Sequence, residues 1–260
     1  MARKADYKLG RIIQHDPRSR MFAIEETDLS TLKSVRWERH APVFDQGNTG
    51  SCTGNACLGA ICTGDLYHSL EKFDINVPMD ETHAVTIYSM ATKIDEWPGE
   101  YPPEDTGSSG LAVAKVAKNI GYISGYSHAF TFNAALTALA RGPVITGVNW
   151  YSSFFFPDAT GECKISTRAK NNGGHEICMD EIDFENRRVW FTNSWGKSWG
   201  IDGRAWFSFD TWERLLGEQG DVTQFVPRQE AVTVVIPKLK FNFNCIFDFI
   251  KSLLRRIHNE

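Results

Sequence analysis

The chain has 260 residues, of which 42% are hydrophobic and 23% charged, with a formal net charge of −4. That length and balance suit a globular chain of one or two lobes. The acidic surplus lacks the basic footprint of a nucleic-acid binder, and no run of about 18 apolar residues marks a membrane span. The basic residues Arg3 and Lys4 have no apolar run behind them, so no secretory signal is expected and a cytoplasmic location follows.

Residues 1–40 read as an arm, with a turn where Asp16 meets Pro17 and a solvated charged stretch at 25–28. Residues 42–51 are loop material, punctuated by Pro42, Gly47, Asn48 and Gly50. From Cys52 the chain turns helical, and a single helix is expected over 52–73. Gly54, Gly59 and Gly64 weaken that helix by about 1 kcal/mol each relative to Ala, which close packing by neighbouring elements would explain. A second helix is expected over 81–93, followed by a surface loop carrying Pro98, Pro102 and Pro103. Ser108 or Ser109 caps a helix from Leu111 that Gly121 closes.

A short helix covers 133–141 and ends at Gly142-Pro143. From Val144 the period changes to strand, with Phe154, Phe155 and Phe156 extending the apolar run. A tight turn is expected at 170–174, then strands at 176–182, 188–192 and 205–209. The hairpin of the first two would carry His175 at its start and Asn193 at its end, side by side. Helices first and strands later imply an α+β chain with segregated lobes. The tail holds a strand at 231–236 and an amphipathic helix at 242–257, with Phe243, Ile246, Phe247, Ile250 and Leu254 on one face. Such a helix suits docking on the body of the chain, on a partner chain or on a membrane surface.

Four polar residues carry candidate chemistry. Cys52 sits where a glycine-rich loop becomes a helix, and the unpaired N–H groups and dipole there favour a thiolate, the nucleophilic form. Gln46 offers an amide donor to an oxygen beside that sulfur. Gly173-Gly174-His175 supplies a base, and Asn193 a group to orient it. A buried structural role is the plain alternative for any single cysteine. The other histidines, among them His40, lack glycine turns and orienting partners and read as surface or core residues. Cys52, Cys57 and Cys62 recur at a step that spreads them around a helix, so they make no metal site. No metal-ligand spacing and no phosphate loop appears, so no cofactor is expected.

The order Gln46, Cys52, His175, Asn193, with Asn193-Ser194-Trp195-Gly196 and Trp199-Gly200-Ile201-Asp202-Gly203, resembles the papain-like cysteine peptidases of family C1, of the prokaryotic or viral type without a long inhibitory propeptide. In such enzymes the His and Asn follow the cysteine by about 130–150 residues. The resemblance implies a helical lobe (about 45–125) and an antiparallel β-barrel-like lobe (about 126–210) with the cleft between them. These form a domain over 41–228, flanked by the arm and by a tail over 229–260. It further implies Cys52 and His175 as a thiolate–imidazolium pair, Asn193 as orienter, Gln46 in the oxyanion hole and Trp195 shielding the His–Asn bond. Gly107, Ser108, Ser109 and Gly174 would line the cleft for a polypeptide substrate. Thr49 stands where secreted members carry a disulfide cysteine, in keeping with reduced thiols at Cys163 and Cys178. The arm is too short for an independently folded inhibitory leader, which leaves the restraint on activity open. A non-catalytic binding module on the same fold, and acyl transfer to an amine, are the alternative readings.

Overall fold

The computed structural model describes residues 7–229; the expected tail strand and amphipathic helix, and the peripheral docking read from them, lie outside the described residues. The chain divides into two units, 1–229 and 230–260, and everything below concerns the first.

The arm carries a short 3-10 turn, Pro17–Phe22, capped by the Asp16 side chain through the Arg18 N–H. It then gives β1 (Val35–Arg36). Helix α1 (Cys52–Ile61) begins at the cysteine itself, and all ten of its residues are buried. Next come α2 (Gly64–Lys72), α3 (Glu81–Thr92) and α4 (Gly110–Asn119). Ser109 caps α4 by accepting the Ala112 N–H. After β2 (Gly125–His128) and α5 (Phe132–Arg141) the chain runs through β3 (Val144–Tyr151), β4 (Asn171–Asp183), β5 (Arg188–Thr192) and β6 (Arg204–Ser208). Helix α6 (Phe209–Gly217) and β7 (Asp221–Val226) complete the unit.

The strands form one antiparallel sheet in the order β2-β7-β3-β4-β5-β6, with β1 also on β4. The fold is α+β as expected, but the sheet is open rather than closed into a barrel. Two cores flank it. One gathers Ala56, Leu58, Ile61, Leu66, Ile87 and Val113 from α1 to α4. The other gathers Leu139, Val148, Trp150, Ile177, Phe191 and Trp212 from α5, α6 and the sheet.

Several expectations are corrected. The helix over 52–73 is two helices, because Thr63 is extended and Gly64 takes a left-handed φ of +56°, open to glycine at little cost. The break is held by the lead-in to the site, with His40 N–H on the Cys62 carbonyl (2.9 Å) and Gly64 N–H on the Glu38 carbonyl (2.8 Å). Phe154 and Phe155 leave the strand for a 3-10 turn, Ser152–Phe155, which rolls Phe154 into the core. The expected turn at 170–174 is instead the start of β4, since Asn171 and Gly174 already pair with β3. His175 therefore stands inside a strand and not at its end. Phe209 opens α6 rather than closing β6, because the Ser208 hydroxyl takes the Thr211 N–H as an N-cap. Strands β2 and β7 and helix α6 were not expected.

Gly54 accounts for one weak spot in α1. A Cβ there would press on the Ala84 carbonyl and stand 2.9 Å from the Tyr88 backbone nitrogen, so α3 crosses α1 at backbone contact. Gly54→Ala should lower the unfolding free energy by about 1–3 kcal/mol, the usual cost of overpacking, as read from urea denaturation; an unchanged midpoint would refute backbone contact there.

Candidate active site

Cys52 is the first residue of α1, and Ser51 makes no side-chain cap, so the initial N–H groups remain directed at the site. The backbone N–H groups of Glu176, Gly10 and Thr53 lie near enough to the Cys52 sulfur to favour the thiolate. Glu176 is the neighbour of His175, so the buried seam between α1 and β4 brings cysteine and histidine segments together.

The β4–β5 hairpin does for His175 what the sequence suggests. Cys178 pairs with Thr192, and Asn193 follows directly at the end of β5. His175 Nε2 meets Asn193 Oδ1 at 2.7 Å, and that oxygen also takes the Ser194 N–H at 2.8 Å. Among the described residues His175 Nδ1 has no hydrogen-bond partner. The Trp195 ring stacks on the imidazole at 4.7 Å, and Trp150 meets it edge-on at 4.7 Å. Trp195 thus excludes water from the His–Asn bond.

Gln46 is fixed at both ends of its amide. Its Oε1 accepts from the Ser194 hydroxyl (2.5 Å), and its backbone N–H bonds the Ser194 carbonyl (2.9 Å). Its Nε2 donates to the Thr49 carbonyl (2.7 Å) and to the Lys8 carbonyl (3.2 Å). Asp105 ties the cysteine loop to the far wall: it accepts the Gly50 N–H on both oxygens (3.0 and 2.9 Å) and the Tyr88 hydroxyl (2.7 Å). The Tyr88 oxygen in turn accepts the Gly107 N–H at 2.9 Å. Asp105 and Tyr88 carried no motif, and only the fold reveals them.

The arm lies across this site. Ser108 N–H bonds the Gly10 carbonyl (2.8 Å), Ile12 N–H the Ser108 carbonyl (2.7 Å), and Arg11 N–H the Gly174 carbonyl (3.1 Å). Gly107, Ser108 and Gly174 thus take the arm's backbone or its close approach, while Ser109 donates its hydroxyl to Gln14 Oε1 at 2.6 Å. The pairing with Ser108 is parallel, that with Gly174 antiparallel. Tyr7 stacks on the outer face of Trp195 at 4.3 Å. An arm without a domain of its own therefore still covers the cysteine, a role the sequence did not disclose.

Burial pushes the Cys52 thiol up to about 12, against the smaller pull of the neighbouring N–H groups. Burial also lowers His175 to about 4, partly opposed by its bond to Asn193. With the arm in place the pair is a thiol and a neutral imidazole, whereas the sequence suggested an ion pair. The five cysteines among the described residues, Cys52, Cys57, Cys62, Cys163 and Cys178, are all free and buried. No helix among the described residues is long and apolar enough to cross a membrane.

The His175 shift has a signed consequence. The unfolded ring titrates at 6.5 and the folded one at about 4, so as pH falls the unfolded chain takes the proton first. Its contribution to stability is intact above pH 6.5 and declines towards pH 4, by on the order of 3 kcal/mol. Stability of the wild type minus that of His175→Gln, from urea midpoints, should fall across this window; a difference independent of pH would refute the shift.

No family model and no curated protein sequence matches the chain. Solved structures do. Xylellain, a cysteine protease from Xylella fastidiosa, superposes with a TM-score of 0.67 at 19% identity, over 88% of this chain and 99% of that one. Digestive procathepsin L2 proteinase from Tenebrio molitor larval midgut gives 0.56 at 16% identity, over 85% and 78%. The bromelain protease from Ananas comosus, in complex with the E64 inhibitor, gives 0.53 at 14% identity, over 75% and 99%. The architecture of this chain is therefore the papain-like fold of cysteine proteases.

Proposed function

We propose that the chain is a cysteine-type peptidase, kept latent by its own arm, that hydrolyses peptide bonds through Cys52, His175 and Asn193. The observation that carries this reading is the 2.7 Å bond from His175 Nε2 to Asn193 Oδ1, which leaves Nδ1 unpaired in a water-excluded seam beside the start of α1. A structural histidine at zero exposure would use both nitrogens; a proton shuttle needs one of them open.

Lifting the arm lets water in and removes much of the desolvation that favours the neutral forms. The Cys52 proton then passes to His175, and the helix N-terminus and the N–H groups of Thr53 and Glu176 hold the thiolate. The thiolate adds to a substrate carbonyl carbon. Gln46 Nε2, released from the Lys8 carbonyl, and the Cys52 backbone N–H donate to the resulting oxyanion. His175 gives its proton to the leaving amine as the C–N bond breaks, which leaves a thioester on Cys52. Water, giving its proton to His175, then attacks the thioester and the thiolate departs. A neutral Asn193 suffices as orienter because the uncovered pair already carries both charges before it attacks.

The test is turnover of a mixed peptide library, with products read by mass spectrometry. Cys52→Ser should fold with a wild-type circular dichroism spectrum and lose cleavage. Gln46→Ala should cut about 10²–10³-fold more slowly, the cost of one oxyanion donor. Full cleavage by Cys52→Ser would exclude the mechanism, and a chain that cuts nothing once its arm is loosened would instead be a binding module.

A further inference from the structure

Beside the cysteine, the sheet builds a pocket that no general peptide-bond chemistry requires. Gly147 on β3 pairs directly with Glu176 on β4 and with Asp221 on β7. Directly paired residues put their side chains on the same face, so the two carboxyls flank a residue that has no side chain. A Cβ on Gly147 would stand 2.7 Å from Asp221 Oδ2 and 2.8 Å from Glu176 Oε2. Gly110, at the start of α4, leaves the opposite side open in the same way, with a Cβ there 2.7 Å from Glu176 Oε1. Glu176 is 1% exposed, and neither of its oxygens has a hydrogen-bond partner among the described residues. Two glycines make the room, Asp221 pairs with a cation there, and burial raises the Glu176 carboxyl well above the usual range.

The chain's own arm fills that room with a guanidinium. The Arg11 side chain is wholly buried and pairs with Asp221, and it donates to the Gln219 carbonyl at 2.7 Å. A Cβ on Gly147 would also lie 2.5 Å from Arg11 Nε. Gly10, the residue before Arg11, has its N–H at the Cys52 sulfur. An acyl residue bound to that sulfur takes the place of Gly10, and in a substrate strand running opposite to the arm the residue before it takes the place of Arg11. An apolar side chain there leaves Asp221 without its counter-charge and the buried Glu176 without a donor, which is costly. A guanidinium instead pairs with Asp221 and brings its positive charge and spare donors beside Glu176, as Arg11 does.

We propose that the Glu176–Gly147–Asp221 pocket selects arginine or lysine in the substrate, at the residue immediately before the one whose carbonyl is attacked. This rests on the peptidase reading above, and it makes Arg11 an internal occupant of the site that a basic substrate must displace.

Two measurements on the full chain separate the pocket from the chemistry. The first is the cleavage profile of Arg11→Ala, and of Arg11→Gln, on a library varied at that position. Peptides with Arg or Lys should be cut at least ten times faster than those with Leu or Phe, and Glu176→Gln in the same background should erase the preference. The second needs no turnover: arginine amide should raise the melting midpoint of Arg11→Ala, leucine amide should not, and Gly147→Ala should abolish the shift. Cleavage that favours apolar residues at that position overturns the proposal. If no peptide is cut, the peptidase reading fails, and the melting shift alone decides whether the pocket takes a basic side chain.

Discussion

Everything at the site hangs on one hydrogen bond, from His175 Nε2 to Asn193 Oδ1. Neither partner is free to move. His175 is inside β4, paired with Val148 on one side, and Asn193 is held at the end of β5 by its N–H to the Gly203 carbonyl (3.0 Å). The bond decides which ring nitrogen is left over. Trp195 protects it because it follows Asn193 by two residues and its backbone pairs with Asp45, on the loop that also carries Gln46. Gln46, Asn193 and Trp195 are thus parts of one clamp, closed by the contacts between Gln46 and Ser194.

The arm acts on that clamp from outside. It uses the backbone edges offered by Ser108 and Gly174, stacks Tyr7 on Trp195 and pairs Arg11 with Asp221. Removing water from Cys52 and His175 moves both away from the charged state, the thiol upward and the imidazole downward. On the proposed reading the covered chain is chemically as well as physically shut, and exposing the cleft restores both access and charge.

The motifs that could be read from sequence were local ones. A cysteine after a glycine-rich loop, a histidine after paired glycines and the Asn193-Ser194-Trp195-Gly196 run each announce themselves within a few residues. The capping serine at 109 did so too. What stayed hidden depends on register between distant segments. Glu176 sits next to His175 in sequence, yet its meaning comes only from Gly147 and Asp221 lining up with it across three strands. Arg11 lies in an arm with no periodicity to mark it. The break in the helix after Ile61 has the same origin: Glu38 and His40, far upstream, satisfy the backbone that the helix gives up. Asp105 likewise needed the fold to bring it to Gly50 and Tyr88.

The central claim of the proposed reading is that Cys52 is the nucleophile, a thiol while the arm covers it and a thiolate paired with His175 once the cleft is open. The direct measurement is labelling by a thiol-reactive epoxide at pH 7, mapped by mass spectrometry, in the wild type and in Arg11→Ala. The account predicts slow labelling of the wild type and labelling at least about tenfold faster when Arg11 is removed, a shift of about 1.4 kcal/mol. The adduct should sit on Cys52 alone and disappear in an added His175→Ala. Equal rates in the two chains, or adducts spread over Cys57, Cys163 and Cys178, would contradict it.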